Sequence, residues 1–451
     1  MKCCGGPPGE SLPLVGGSSM DELLARTGGF GWFQTHVGLA LFAVQASCAA
    51  VVMLPTYVSL SAQREWGTSS TTPMVQAFFA GQLVGFPLWG LAADRLGRKP
   101  TTNASLLLLA TFSLLSFAAT SPTSYAWLRL PVGLASGGAW IGQQTLGVEY
   151  CAPPYRILFY VISGLGWTAG EVYAVLLAWA LSSAGWRTLL LLHLPVLPTL
   201  LLLHFLPETP RYLLQRGDAA GAMETIRRIA RANGRPLDGK AALAAGVAAD
   251  GGEGAEGWTR TLAQLLSPSV APRLALVSAI WFGAAGSYYG VAFLKQDLSV
   301  FNPYVTTLLE NAVELLSLLV LALIAEHRGR RACLALFFVL CAVGFIVLQV
   351  AQPQSTLELV FILIERTAAS LVASLIWLVV AEVFPTSIRS VTLGLAAACG
   401  RAGCIVCPAL TDGSFGGGFA VMAAITLCSA IGTLFLQEMT GAALSDTVSS
   451  L

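Results

Sequence analysis

Twelve apolar stretches, each long enough to cross a bilayer as a helix, dominate this chain: 36–59, 73–93, 102–120, 125–147, 157–182, 186–206, 270–292, 303–325, 332–351, 357–381, 391–411 and 416–437. About twenty apolar residues in a helix cross a hydrocarbon core of about 30 Å. In lipid every backbone group must be paired inside a helix or a closed barrel, and the alternating segments of a barrel are missing here. The fold class is therefore an all-α polytopic membrane protein. Of the residues, 55% are hydrophobic and only 11% charged, against about 25% charged in soluble proteins. That excludes a soluble enzyme. A net charge of +1 with no basic block offers nothing to track nucleic acid.

Basic residues orient the stretches. With both termini cytoplasmic, 19 of the 25 Lys and Arg fall on cytoplasmic segments, and four (Arg64, Arg129, Arg187, Lys295) on external ones. That asymmetry fits the positive-inside rule. Residues 1–29 are a Gly-, Pro- and Ser-rich cytoplasmic tail without the apolar core of a cleavable signal, so the first stretch is expected to direct insertion. None of the ten cysteines falls in a predicted external loop, which leaves no disulfide framework.

The only long polar stretch, 207–269, divides the chain into six helices at 30–206 and six at 270–437, with a tail at 438–451. Within it, 218–232 reads as a short amphipathic helix. It either offers Arg227, Arg228 and Arg231 to anionic headgroups or is a plain solvated linker.

The two halves repeat each other. Asp94-Arg95-Leu96-Gly97-Arg98-Lys99 follows the second stretch and Glu326-His327-Arg328-Gly329-Arg330-Arg331 the eighth, at an offset of 329 − 97 = 232. Glu149 and Arg156 after the fourth match Glu382 and Arg389 after the tenth, each 233 apart. Parallel six-helix repeats are an architecture of secondary transporters. Acids favour helix N-termini and arginines bond exposed carbonyls at C-termini, so these charges suit contacts that close one side of a carrier and break when it opens. Read more plainly, they are anchors that set topology. Their recurrence in both halves favours the gate.

Gly90-Leu91-Ala92-Ala93-Asp94-Arg95-Leu96-Gly97-Arg98-Lys99 resembles the loop signature of the major facilitator superfamily. Pro207-Glu208-Thr209-Pro210-Arg211-Tyr212-Leu213 is similar to the motif that follows the sixth helix of sugar porters and organic ion transporters. Gly28-Gly29-Phe30-Gly31-Trp32-Phe33-Gln34, Tyr288-Tyr289-Gly290 and Glu382-Val383-Phe384-Pro385-Thr386-Ser387-Ile388-Arg389 narrow the resemblance to the organic cation, anion and zwitterion transporters (solute carrier family 22). It implies a carrier of small organic ions at the plasma membrane. The chain departs from that family in its short first external loop, which has no cysteine and no glycosylation sequon.

Ionisable residues at membrane depth are functional candidates. Arg401 lies twelve residues beyond Arg389, about 18 Å along a helix and so near the midplane. It resembles the arginine that anion carriers of the family place there. It either holds a carboxylate or sulfate of the substrate, or forms a salt bridge with Glu314 or Glu171. Glu314 resembles the family's acidic motif in the eighth helix, although Leu318 stands where anion carriers often have lysine. Glu171 is a proton or substrate group, or the buried partner of Arg401. Glu365-Arg366 reads as a self-paired structural couple. Trp281, Tyr288, Tyr289 and Trp377 lie where the family lines its cavity, and aromatic walls suit flat organic ions. Gln143, Gln144 and Gln45 offer neutral hydrogen bonds or tie helices together.

No phosphate-binding Gly-x4-Gly-Lys-Ser/Thr, His-Glu-x2-His, paired-cysteine zinc spacing or Gly-x-Ser-x-Gly occurs, so no enzyme, metal or cofactor is expected. The reading is a secondary active or facilitative transporter of small organic ions, favouring anions, that works by alternating access. A non-transporting receptor or regulator of the same fold is the alternative. A sugar porter is disfavoured by Arg401 and the Tyr-Tyr-Gly stretch.

Overall fold

The computed structural model describes residues 20–66, 72–193, 195–237, 261–292, 302–351, 355–384, 388–411 and 416–438, and among them all regular structure is helical. The first half comprises α1 (Met20–Arg26), α2 (Trp32–Trp66), α3 (Thr72–Leu96), α4 (Arg98–Leu115), α5 (Pro122–Glu149), α6 (Arg156–Ala180) and α7 (Val196–His204). Two short helices, α8 (Pro210–Gln215) and α9 (Ala219–Ala232), precede α10 (Ala271–Ala292), α11 (Pro303–Arg328), α12 (Arg330–Val350), α13 (Thr356–Val383), α14 (Arg389–Thr411) and α15 (Gly418–Thr433). Each of the twelve stretches falls on helix. Among the described residues nine helices are long and apolar enough to cross a membrane, with Gly418–Thr433 a shorter apolar one. The sixth stretch departs from a single α-helix. It opens as a 3-10 helix, Trp186–His193, before α7. Pro195, which has no N–H to give the ladder, stands between them.

Small residues set the packing. α3 lies against α5, α2 against α6 and α10 against α14. A Cβ on Gly85 or Gly133 would run into the backbone of the facing helix, the close approach typical of membrane helices. The two halves meet mainly along two helix pairs, α3 with α14 and α6 with α11. The six-helix repeat exchanges one pair for the other. At the first, a Cβ on Gly394 would stand 2.9 Å from the Phe86 carbonyl oxygen.

The predicted amphipathic helix forms as α9, and Asp218 caps it by accepting from the Gly221 amide at 2.8 Å. Its apolar face turns into the protein, burying Met223, Ile226 and Ile229 beside α8 and α1. Arg228 donates to the Phe205 carbonyl at 2.8 Å, and Arg231 pairs with Glu224 at 3.4 Å. The helix is docked rather than a free linker.

Candidate functional site

A central cavity lies between the two halves. Gln45, Trp140, Gln144 and Trp167 line it from the first half, and Trp281, Tyr288, Tyr289, Glu314, Trp377 and Arg401 from the second. Helical spacing explains the second-half wall, since Trp281 and Tyr288 lie two turns apart on one face of α10. Gly400 on α14 leaves room for the Trp281 indole, which a Cβ would strike. The aromatic rings interlock edge to face, Trp281 on Trp377 at 4.6 Å and Trp140 on Trp167 at 5.5 Å between centroids.

Two buried arginines reach this region, and their surroundings differ. Arg366 of α13 lies 3.3 Å from a carboxylate oxygen of Glu171 on α6 and 3.7 Å from one of Glu314 on α11. It also donates to the Tyr288 hydroxyl at 2.7 Å, and that hydroxyl accepts from the Trp167 indole N–H at 2.7 Å and donates to Glu171 at 3.2 Å. Arg401 makes no ion pair among the described residues. Its guanidinium rests 4.4 Å from the Trp140 ring centre, 4.9 Å from Phe86 and 6.0 Å from Tyr289. It contacts the Cys404 sulfur at 3.7 Å, and its Nε and Nη2 have no hydrogen-bond partner.

These placements correct two sequence expectations. Arg401 is not salt-bridged to Glu314 or Glu171, because Arg366 takes both carboxylates. Glu365-Arg366 is not a self-paired couple, because Arg366 turns across to the other half. Gln143 is also displaced from the main cavity. It is buried against Gln45 and lines a smaller neighbouring pocket, while Gln144 faces the central space.

At the end of α2, α6 and α11 away from the Gly97 turn, Tyr304 stacks on Trp179 at 5.8 Å and lies nearly parallel to Tyr57 at 6.2 Å. At the other end, Arg98 bonds Glu149 at 3.2 Å and Asp94 at 3.3 Å, and Glu149 accepts from the Thr209 hydroxyl at 2.6 Å. Arg98 also lies 5.0 Å over the Tyr212 ring, whose hydroxyl donates to the Arg95 carbonyl at 2.7 Å. The repeated Glu149 and Arg156 go to different partners. Glu149 goes to Arg98, while Arg156 pairs with Asp21 of α1 at 2.8 Å, and Arg211 joins the same carboxylate. Arg389 is buried at the start of α14. Glu326 and Glu382 lie on α11 and α13, with side chains outside the described residues.

Sequence reasoning missed a pair of helix caps. Glu208 accepts from the Lys99 amide at 3.2 Å, at the first turn of α4. Glu438 accepts from the Arg330 amide at 3.1 Å and the Arg331 amide at 3.2 Å, at the first turn of α12. Both helices start after a glycine in the left-handed region, Gly97 at φ 103° and Gly329 at φ 82°. A signal existed: Phe205-Leu206-Pro207-Glu208 matches Phe435-Leu436-Gln437-Glu438, at an offset of 438 − 208 = 230. Burial holds the Glu208 carboxyl above the usual carboxylate range, and the Thr209 and Lys99 amides act in the opposite direction.

Twelve helical stretches in two repeating halves around one central cavity define a polytopic membrane transporter of the major facilitator fold. The pattern of the sugar (and other) transporter family matches residues 30–444, and the chain belongs to that family. It is 32% identical to solute carrier family 22 member 7 of Bos taurus over 82% of this chain and 68% of that relative. Organic cation/carnitine transporter 7 of Arabidopsis thaliana is 26% identical over 96% of this chain and 97% of its own length. Among solved structures, the proton:xylose symporter XylE bound to 6-bromo-6-deoxy-D-glucose superposes with a TM-score of 0.70 at 16% identity, over 93% of this chain and 98% of that one.

Proposed function

We propose that this transporter carries a small organic anion, bound in the central cavity with Arg401 as the anion contact. The observation behind this reading is the contrast between the two buried arginines. Arg366 already has two carboxylates, whereas Arg401 lines the cavity with two of its nitrogens unpartnered among aromatic faces. A cation without a counter-ion in a low-dielectric site favours an anionic ligand. A guanidinium offers a planar carboxylate or sulfate two parallel donors. Aromatic walls add area and stacking for a flat organic body.

The remaining site residues take supporting roles. Tyr288, Tyr289, Trp281 and Trp377 shape the walls, while Glu171 and Glu314 hold Arg366. Bundles 30–206 and 270–437 rock about the cavity, with 207–269 as the cytoplasmic linker and both termini cytoplasmic in the plasma membrane. The aromatic stack at Tyr304 closes the outer side. The charged turns at Gly97 and Gly329 form the inner gate, with Asp94, Arg95, Arg98, Glu149, Arg156, Glu326, Arg330, Glu382 and Arg389 as its groups.

Uptake of a panel of labelled organic anions and cations into cells tests this, comparing wild type with Arg401→Ala at matched surface expression. Anion uptake should fall roughly thirty-fold, the equivalent of about 2 kcal/mol for a charge-assisted bond. Uptake of cations alone, or anion uptake indifferent to Arg401, would overturn the assignment.

A further inference from the structure

Glu365 has no part in the cavity wall, the bridge or the helix caps. It is fully buried on α13, and neither carboxylate oxygen has a hydrogen-bond partner. Its stem lies against α12, where Gly344 makes the space: a Cβ there would stand 2.8 Å from the Glu365 Cβ. The charged and titratable groups around it are Glu310 of α11, Cys341 of α12 and Arg366 of its own helix. Tyr288 of α10 and Glu171 of α6 engage Arg366 instead.

A second observation lies on α11. The buried stripe that carries Glu310 also carries Asn311, whose two amide atoms are both unpartnered, and one turn on, Glu314 at the cavity wall. A carboxylate ion with no donor in such surroundings is strongly disfavoured, whereas the neutral acid is tolerated. The nearest cation is already engaged by two other carboxylates.

We infer that Glu365 is a proton-binding site whose charge sets the strength of the bridge between the two halves. As a neutral acid it leaves Arg366 to Glu171 and Glu314. When its O–H proton passes along the α11 stripe to water in the cavity, the new carboxylate beside Arg366 competes for the guanidinium. The hold on Glu171 then weakens, so proton release and loosening of the halves become one event. The coupling rests on the transport reading, and the proton site itself does not.

Two measurements on the full-length protein in liposomes test it. Infrared difference spectra across a step from neutral to alkaline pH should show the carbonyl band of a protonated carboxyl disappearing. That band should be absent in Glu365→Gln and kept in Glu310→Gln. A band unaffected by Glu365→Gln overturns the inference. Labelled benzoate then probes coupling. An inward proton gradient should stimulate its uptake several-fold in wild type and not in Glu365→Gln, while counterflow without a gradient persists in both. Stimulation that survives in Glu365→Gln overturns the coupling. If wild type gives no counterflow with any organic ion, the transport reading fails instead, and the infrared titration still decides the proton site.

Discussion

A nitrogen of Arg366 lies 3.3 Å from a carboxylate oxygen of Glu171, and this one contact joins α13 of the second half to α6 of the first. Both side chains are only 3% exposed, so water neither screens nor replaces the pair. Removing one member of such a pair is therefore far worse than never having had it.

Arg366→Ala leaves two buried carboxylates without their cation and should cost about 3–5 kcal/mol. Glu171→Gln, which keeps the shape and leaves Glu314 in place, should cost about 1–3 kcal/mol. Thermal unfolding of both single variants and the double variant in detergent should show a coupling of at least about 1 kcal/mol. Strictly additive losses would mean that the contact carries no energy of its own.

Gly394→Ala should destabilise the protein by about 1–3 kcal/mol, because the new methyl presses on the Phe86 carbonyl and two packed backbones have little room to yield. The loss should appear in the melting temperature. A melting temperature equal to that of wild type would show that the α3–α14 contact yields to the added methyl without cost.

Glu438→Ala should cost about 1 kcal/mol, as the loss of a helix N-cap does. The sensitive readout is amide hydrogen exchange at Arg330 and Arg331, which should quicken while the rest of α12 stays protected. Glu208→Ala should do the same at Lys99. Exchange unchanged at those three amides would remove the caps from the account.

A pH dependence follows from Glu208, whose carboxyl is raised chiefly by burial. A group raised on folding contributes stability that is present below its unfolded value and lost as pH rises through the folded one. Wild type should therefore lose stability relative to Glu208→Gln as pH climbs above about 4, the ordinary carboxylate value. Melting curves of the two proteins that stay parallel across that range would refute the assignment.

The helices were legible because span length and the absence of charge are properties of the chain alone. The repeat was legible where glycine turns and charges recur at one offset. Glu208 and Glu438 escaped because their offset of 230 differs by two or three residues from those of the other motifs. Arg401 was placed by counting along a helix from Arg389, which needs no knowledge of neighbours. The partner of Arg366 needed that knowledge, since Glu171 lies 195 residues away in sequence. Gln143 and Gln144 show a further limit: consecutive helical residues point about 100° apart, so a small error of rotation moves one out of the cavity and the other in.

The α3–α14 and α6–α11 pairs are images of each other in the repeat, yet their chemistry is unequal. One seam brings backbone against backbone at Gly394 and sets Arg401 against the Phe86 ring with no carboxylate paired to it among the described residues, and the other has an ion pair beside it at Glu171 and Arg366. A perfectly symmetric scaffold would tilt to either side with equal ease. In the rocking proposed above, the seam with the ion pair would bias the resting tilt, so one substitution at Glu171 or Arg366 should change which face of the membrane the empty carrier prefers.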